Sequence, residues 1–217
     1  MLAGGTVDAL PYKKTGEFRV LGIANEQPDW SMPDVPTMRS QGYDVIAVSE
    51  TGVVAPVVLL PGNHDSIIPQ CLFQRAGIIG LPDIHVLGVT NAGSILFEQH
   101  GLEIWGHAHR GYGDMTPLHT PRPRTTRWQI AVAHGHYVPP DEWHREAHRG
   151  WKISDHDIAA TEAHYVALGH WDRPVQAGDG RVPAYYSGSP DLARTVNAIR
   201  LSAATGVTVD RVPLIWV

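Results

Sequence analysis

Cysteine is nearly absent: Cys71 is the only one in 217 residues. An internal disulfide is therefore excluded, as are zinc folds built on several thiolates, and a reducing compartment suits the chain. Positive charge is also scarce. With 17 Lys+Arg against 22 Asp+Glu and a formal net charge of -5, no broad cationic field is available to hold duplex DNA by its phosphates. Long apolar runs are missing, since none approaches the ~20 residues of a membrane-spanning helix. The opening MLAGGTVDALPYKK lacks the basic-then-apolar layout of a secretory signal. These absences lead us to expect a soluble, cytoplasmic chain with no membrane partner. No internal repeat is visible. What is present, 43% hydrophobic residues, suffices for a substantial core in one large or two small domains.

Histidine is the abundant component, with 13 copies, most of them between His64 and His170. Imidazole ligates transition metals and titrates near neutral pH, so the stretch calls for a search for ligand spacing. Several of these residues are also expected to be plain surface histidines.

The first part of the chain alternates short elements: an apolar strand at 18–24, a helix at 35–41 with Pro33 and Pro36 at its start and Gly42 at its end, and a strand at 43–48. A run at 53–60, rich in β-branched residues and too short for a helix, reads as a buried strand. It leads into Pro61-Gly62-Asn63-His64-Asp65. The pattern then predicts a helix at 67–76, a strand at 85–88, and a hairpin of 94–99 with 102–105 turning at His100-Gly101. Residues 106–127, full of Gly, Pro, His and Arg, read as a long irregular connection. A strand at 128–133 delivers His134-Gly135-His136. A polar helix after Pro139 and Pro140, a short helix capped by Ser154, and a strand at 165–168 ending in Gly169-His170-Trp171-Asp172 follow. The tail reads as a Gly178-Asp179-Gly180 turn, a strand at 185–187, and two alternating strands at 195–201 and 207–212 joined through Gly206.

Three times an apolar strand ends in a loop bearing Asn, His or Asp: at Asn63-His64-Asp65, at His134-Gly135-His136 and at His170-Trp171-Asp172. Ligands collect at the carboxyl ends of strands in sheets with crossover connections, so the three loops are expected to meet in one crevice. One such tripeptide alone would be a turn.

The segments Pro61-Gly62-Asn63-His64-Asp65, His134-Gly135, Tyr165-Val166-Ala167-Leu168-Gly169-His170-Trp171-Asp172 and Tyr186-Ser187-Gly188-Ser189-Pro190 together resemble the calcineurin-like metallophosphoesterases. Within that family they are most similar to the bacterial DNA-repair exonuclease branch. The resemblance runs from about residue 57 to the C-terminus with the motifs in family order. It implies an α/β fold, a layered sheet with flanking helices in a truncated version of the family's sandwich. It also implies a hydroxide shared by two divalent ions that attacks phosphorus, the ions sitting about 3.5–4 Å apart. By position, Asn63, His134 and His170 would ligate the second metal, and His64 would protonate the leaving oxygen. Asp172 stands where the family more often has a second histidine, a ligand of the first metal; a carboxylate there favours Mn²⁺ over Zn²⁺, with Fe also open. One or two ions per chain are expected.

The family's opening Asp-x-His and Gly-Asp motifs are missing from residues 1–56. Leu2-Ala3-Gly4-Gly5-Thr6-Val7, the 18–24 strand, Pro33-Asp34-Val35-Pro36-Thr37-Met38, Gly42-Tyr43 and Gly52-Val53-Val54-Ala55-Pro56 instead resemble part of a tripartite tricarboxylate transporter substrate-binding protein. The expected organisation is thus a fusion, 1–56 completing the sheet and 57–217 metallophosphoesterase-like, with the joint near 56–58. Glu26 and Glu50 either replace lost ligands or are solvated loop carboxylates. An exposed sheet edge also makes a homodimer the expected state.

Gly106-His107-Ala108-His109 imitates the family's terminal Gly-His-x-His but precedes His134, so it reads as a decoy whose His107 can line the substrate cleft. His136 and Arg110 are further substrate-binding candidates, and Arg122, Arg124 and Arg127 either contact a substrate phosphate or form a solvated basic loop. His144-Arg145-Glu146-Ala147-His148 has Glu146 misplaced for a zinc-protease helix. The expected function is metal-dependent hydrolysis of a small phosphodiester; a nuclease and a noncatalytic remnant are the alternatives, with nucleic acid a less favoured partner.

Overall fold

The computed structural model describes residues 56–69, 71–75, 79, 81, 83–111, 113, 115–142 and 151–214. The elements expected at 18–24, 35–41 and 43–48, together with Glu26, Glu50 and 144–148, lie outside the described residues. The chain divides into two units, Met1–Val57 with Val217 and Val58–Trp216, and the second holds the motifs.

Four strands of this unit run parallel: β4 (Leu102–Gly106), β5 (Trp128–His134), β8 (Tyr165–Gly169) and β10 (Ala184–Tyr186). They form the middle of a six-stranded sheet, with β3 (Ser94–Phe97) and β9 (Val175–Ala177) antiparallel at its two edges, in the order β3-β4-β5-β8-β10-β9. A separate two-stranded sheet joins β1 (Val57–Leu59) and β2 (Ile84–Val86). Short parallel pieces, β6 (His136–Tyr137) and β7 (Lys152–Ile153), pair with each other. The long hairpin of β11 (Thr195–Ser202) and β12 (Gly206–Pro213) closes the described chain.

The period-2 patterning accounts for the sheet. Along β5 burial alternates residue by residue, with Gln129, Ala131 and Ala133 inside. The two alanines leave room for the large rings of Trp105 and Tyr186, and all four residues belong to the main core with Val166, Leu168 and Ile158. Ile158 comes from α2 (Asp155–Ala160), which starts at a capping box: the Asp157 N–H donates to Ser154 Oγ at 3.2 Å, and the Ser154 N–H donates back to the Asp157 carboxylate at 2.8 Å.

Of the expected layered sheet with flanking helices, the coarser part is seen: mixed sheets accompanied by few helices. Among the described residues the α-helices are α1 (Leu72–Arg75), α2 and α3 (Pro190–Ala193), of four, six and four residues. The fold is one of mixed sheets with few, short helices. The helix read at 67–76 shrinks to α1 because Pro69 has no N–H to donate and biases Ile68 away from helical backbone.

Candidate metal centre

Because β4, β5, β8 and β10 are parallel, their carboxyl ends share one edge of the sheet. His134 ends β5, and its partner in register is Gly169 at the end of β8, so His170 emerges beside it. The His134 and His170 rings lie 5.3 Å apart, edge to face at 78°. The third loop also arrives: Asn63 is buried, 6% exposed, and its Oδ1 is 2.7 Å from His134 Nε2. Asp65, next in the loop, accepts the Gly62 N–H at 2.7 Å and closes the turn that presents Asn63.

Two glycines make the approach feasible. A Cβ on Gly62 would fall 2.7 Å from the His134 ring, and one on Gly169 would fall 3.1 Å from its Nδ1. The glycines of the Pro-Gly-Asn-His and Leu-Gly-His motifs are thus the walls of a slot for one imidazole. His170 has φ 115, a backbone region that a residue with a Cβ occupies at a cost of order 1–3 kcal/mol and that clusters at functional sites.

His134 is held neutral. Burial first, then the neighbouring His170 and His109, lower its pKa to about 4 against an opposing pull from Asp65. A neutral ring is the form that ligates a metal.

His136 follows two residues on, its ring 5.9 Å from that of His170. The Trp171 indole N–H donates to His136 Nδ1 at 3.0 Å; an indole only donates, so the neutral His136 ring carries its hydrogen on Nε2. Trp171 in turn stacks on Tyr186, 5.0 Å between centroids at 14°. The Tyr186 hydroxyl donates to the Gly135 carbonyl at 2.7 Å and accepts the Tyr137 N–H at 2.9 Å, pinning the turn between the two histidines. Gly135 is required there, because a Cβ would collide with the Trp151 carbonyl oxygen.

Of the residues expected at the site, Asn63, His134 and His170 come together with His136 beside them. His64 is exposed and close enough to contribute to the lowered pKa of His134. Asp172 is exposed, and its backbone carbonyl accepts the Ser189 N–H at 3.1 Å. Among the described residues no three His, Cys, Asp or Glu side chains converge as a metal would require, so Asp172 does not complete a cluster with His134 and His170.

His107 and Arg110 line an open cleft of ≈ 380 Å³ together with Gly88, Gly93, Gly106 and His119. His107 stacks on His119 at 3.8 Å, and burial, then the charge of His119, lower its pKa. The other arginines are elsewhere. Arg122 Nε donates to Glu103 at 2.8 Å, Arg124 donates to the Glu162 carbonyl at 3.2 Å, and Arg127 sits 5.8 Å over the Trp128 ring. Glu103 and Trp128 lie at the starts of β4 and β5, so these cations sit at the amino ends of the strands.

His109, set aside as part of a decoy, is fully buried, and its Nε2–H donates to the His134 carbonyl at 2.8 Å. No local pattern marks it, since the alternation of β4 breaks at buried Gly106 and half-buried His107.

Asn63 Oδ1 accepts a hydrogen bond from His134 Nε2–H at 2.7 Å. An imidazole and a carboxamide oxygen are groups that a divalent ion accepts, and an ion held by these two atoms would displace that proton. No family model, curated protein or solved structure matches this chain.

Proposed function

We propose that the chain is a metal-dependent phosphoric ester hydrolase of the calcineurin-like metallophosphoesterase kind, acting on a small phosphodiester. The observation that carries this reading is the meeting of Asn63 Oδ1 with His134 Nε2 at 2.7 Å, with the His170 ring 5.3 Å from that of His134. In the same reading the six-stranded sheet is one layer of the family's α/β sandwich, residues 1–56 are the transporter-protein-like part of a fusion, and the protein is a cytoplasmic homodimer.

Asn63, His134 and His170 would hold a divalent ion, Mn²⁺ ahead of Zn²⁺ or Fe. Such an ion lowers the pKa of water and neutralises charge on phosphoryl oxygens. The chain's own residues do the rest. His64, exposed beside the imidazoles, gives a proton to the leaving oxygen, a role worth about 10²–10⁴-fold in rate. His136 orients the ester by hydrogen bonding. Arg110 and His107, in the cleft that follows β4, take the group attached to the phosphate.

Hydrolysis of a chromogenic diester and monoester with Mn²⁺, compared with His64→Ala and His170→Ala, tests the reading. We expect metal-dependent turnover of the diester, reduced about 10²–10⁴-fold in His64→Ala and abolished in His170→Ala. A wild type that takes up no metal and turns over neither ester overturns it, as does equal activity in all three proteins. Metal uptake without turnover would establish the second reading, a noncatalytic remnant, which is favoured by the lack of any group of three His, Cys, Asp or Glu side chains among the described residues that could hold a metal ion.

A further inference from the structure

Three hydrogen bonds of one buried residue tie the candidate centre together. The backbone N–H of His109 donates to the Pro61 carbonyl at 3.1 Å, and its carbonyl accepts the Ile67 N–H at 2.7 Å. Its ring Nε2–H donates to the His134 carbonyl at 2.8 Å. The first two bonds grip the Asn63 loop on both sides, and the third grips the end of β5. His109 is 0% exposed, and its ring stands edge-on to His134 at 5.5 Å and to Trp151 at 5.3 Å.

We infer that His109 is a positioning residue that sets the Asn63 carboxamide against the His134 imidazole. The inference uses the function proposed above for its consequence, the ligand geometry, but not for its premises. The ring is a costly choice for a core position. A donor to the His134 carbonyl leaves Nδ1 as an acceptor, and Nδ1 is buried with no hydrogen-bond partner among the described residues. An orphaned buried polar atom costs about 1–3 kcal/mol, so a site that keeps one needs what the other end of the ring does. Leucine would fill the volume without that cost. What leucine cannot do is hold the carbonyl of His134, whose peptide direction sets where the imidazole points. The two main-chain bonds fix the Asn63 loop relative to residue 109, and the ring adds a direct tie from there to the end of β5. His109 touches no reacting atom and acts through Asn63 and His134.

The test compares wild type with His109→Gln, whose side-chain amide reaches as far as Nε2 and donates, and His109→Leu, which packs without donating. In metal-free protein, ¹⁵N long-range correlation spectra report the His109 tautomer and the His134 ring. Mn²⁺ titration by calorimetry reports affinity. We expect Nε2-protonated, Nδ1-unprotonated His109 in wild type. In His109→Leu the His134 resonances should shift or broaden and Mn²⁺ affinity should fall about 10–100-fold, the scale of a lost supporting partner. His109→Gln should stay within about threefold of wild type. A wild-type His109 protonated on Nδ1 overturns the inference and requires only the native protein, so it decides the matter even if His109→Leu fails to fold. So do unchanged His134 signals in a folded His109→Leu, or equal loss in the glutamine and leucine variants. If wild type binds no Mn²⁺ while the His134 signals respond to the leucine variant as described, the function is wrong and the positioning role stands.

Discussion

Asn63 and His134 stand 71 positions apart in the chain, yet a carboxamide oxygen of one lies 2.7 Å from a ring nitrogen of the other. The contact depends on three things that act together: a tight turn closed by Asp65, a parallel strand that ends at His134, and glycines that leave the imidazole its slot. Each is open to a separate measurement.

The slot is the most direct. In Gly62→Ala the new Cβ would lie 2.7 Å from the His134 ring, in a buried place where neither neighbour can yield freely. Overpacking of this kind costs about 1–3 kcal/mol. Chemical denaturation should show that loss together with weakened Mn²⁺ binding. Gly113→Ala is the control, since nothing lies within 4 Å of its Cβ position; it should match wild type in both.

Stability should depend on pH through His134. Its folded pKa is about 4 against 6.5 for an unperturbed imidazole. Between those values the unfolded state binds more protons than the folded one, so the contribution is fully present above about pH 6.5 and is lost as pH falls through 4. The slope from one such group approaches about 1.4 kcal/mol per pH unit in that window. His107 and His164, whose pKa values are also lowered chiefly by burial, add to it in the same sense. Urea unfolding of metal-free protein from pH 4.5 to 7 should be visibly less pH-dependent in His134→Asn than in wild type.

Tyr186→Phe removes the hydroxyl that serves both the Gly135 carbonyl and the Tyr137 N–H. Two buried backbone groups then lose their partner, at a cost of about 1–3 kcal/mol. The denaturation midpoint should fall with an unchanged m-value. If it does not fall, the hydroxyl is not what holds the turn between His134 and His136.

The arginines separate by role. Arg110→Ala, in the cleft, should raise KM for the diester with little change in stability. Arg122→Ala should leave KM alone and cost about 1 kcal/mol, since its bond to the Glu103 carboxylate is half in solvent. A KM effect from Arg122 would place the substrate at the wrong end of the sheet.

How much of this was legible beforehand depended on whether the signal was local. β5, β8, β11 and β12 were readable from alternation and apolar runs, and α2 from its Ser154 cap. The three loops at strand ends were readable as candidates, because a glycine beside Asn or His at the end of an apolar run is a short-range pattern. β6, β7 and β9 were not, being two or three residues long and carrying no measurable period. The helix at 67–76 was overread because apolar spacing outweighed Pro69. Long-range pairings were out of reach altogether. Arg122 finds Glu103 across 19 positions, and His109 finds the His134 carbonyl across 25. Nothing in either neighbourhood names the partner, so the basic loop reads as either a substrate contact or a solvated surface, and a core histidine reads as an imitation of a motif.

The central claim is that one divalent ion sits between Asn63, His134 and His170. Anomalous diffraction from crystals of the full chain soaked in MnCl₂ sees that ion directly. The account predicts one strong peak about 2.0–2.4 Å from Asn63 Oδ1 and from one ring nitrogen each of His134 and His170. It also predicts that the peak vanishes in His134→Ala. No peak there at saturating Mn²⁺, or a peak that survives the substitution, would contradict it.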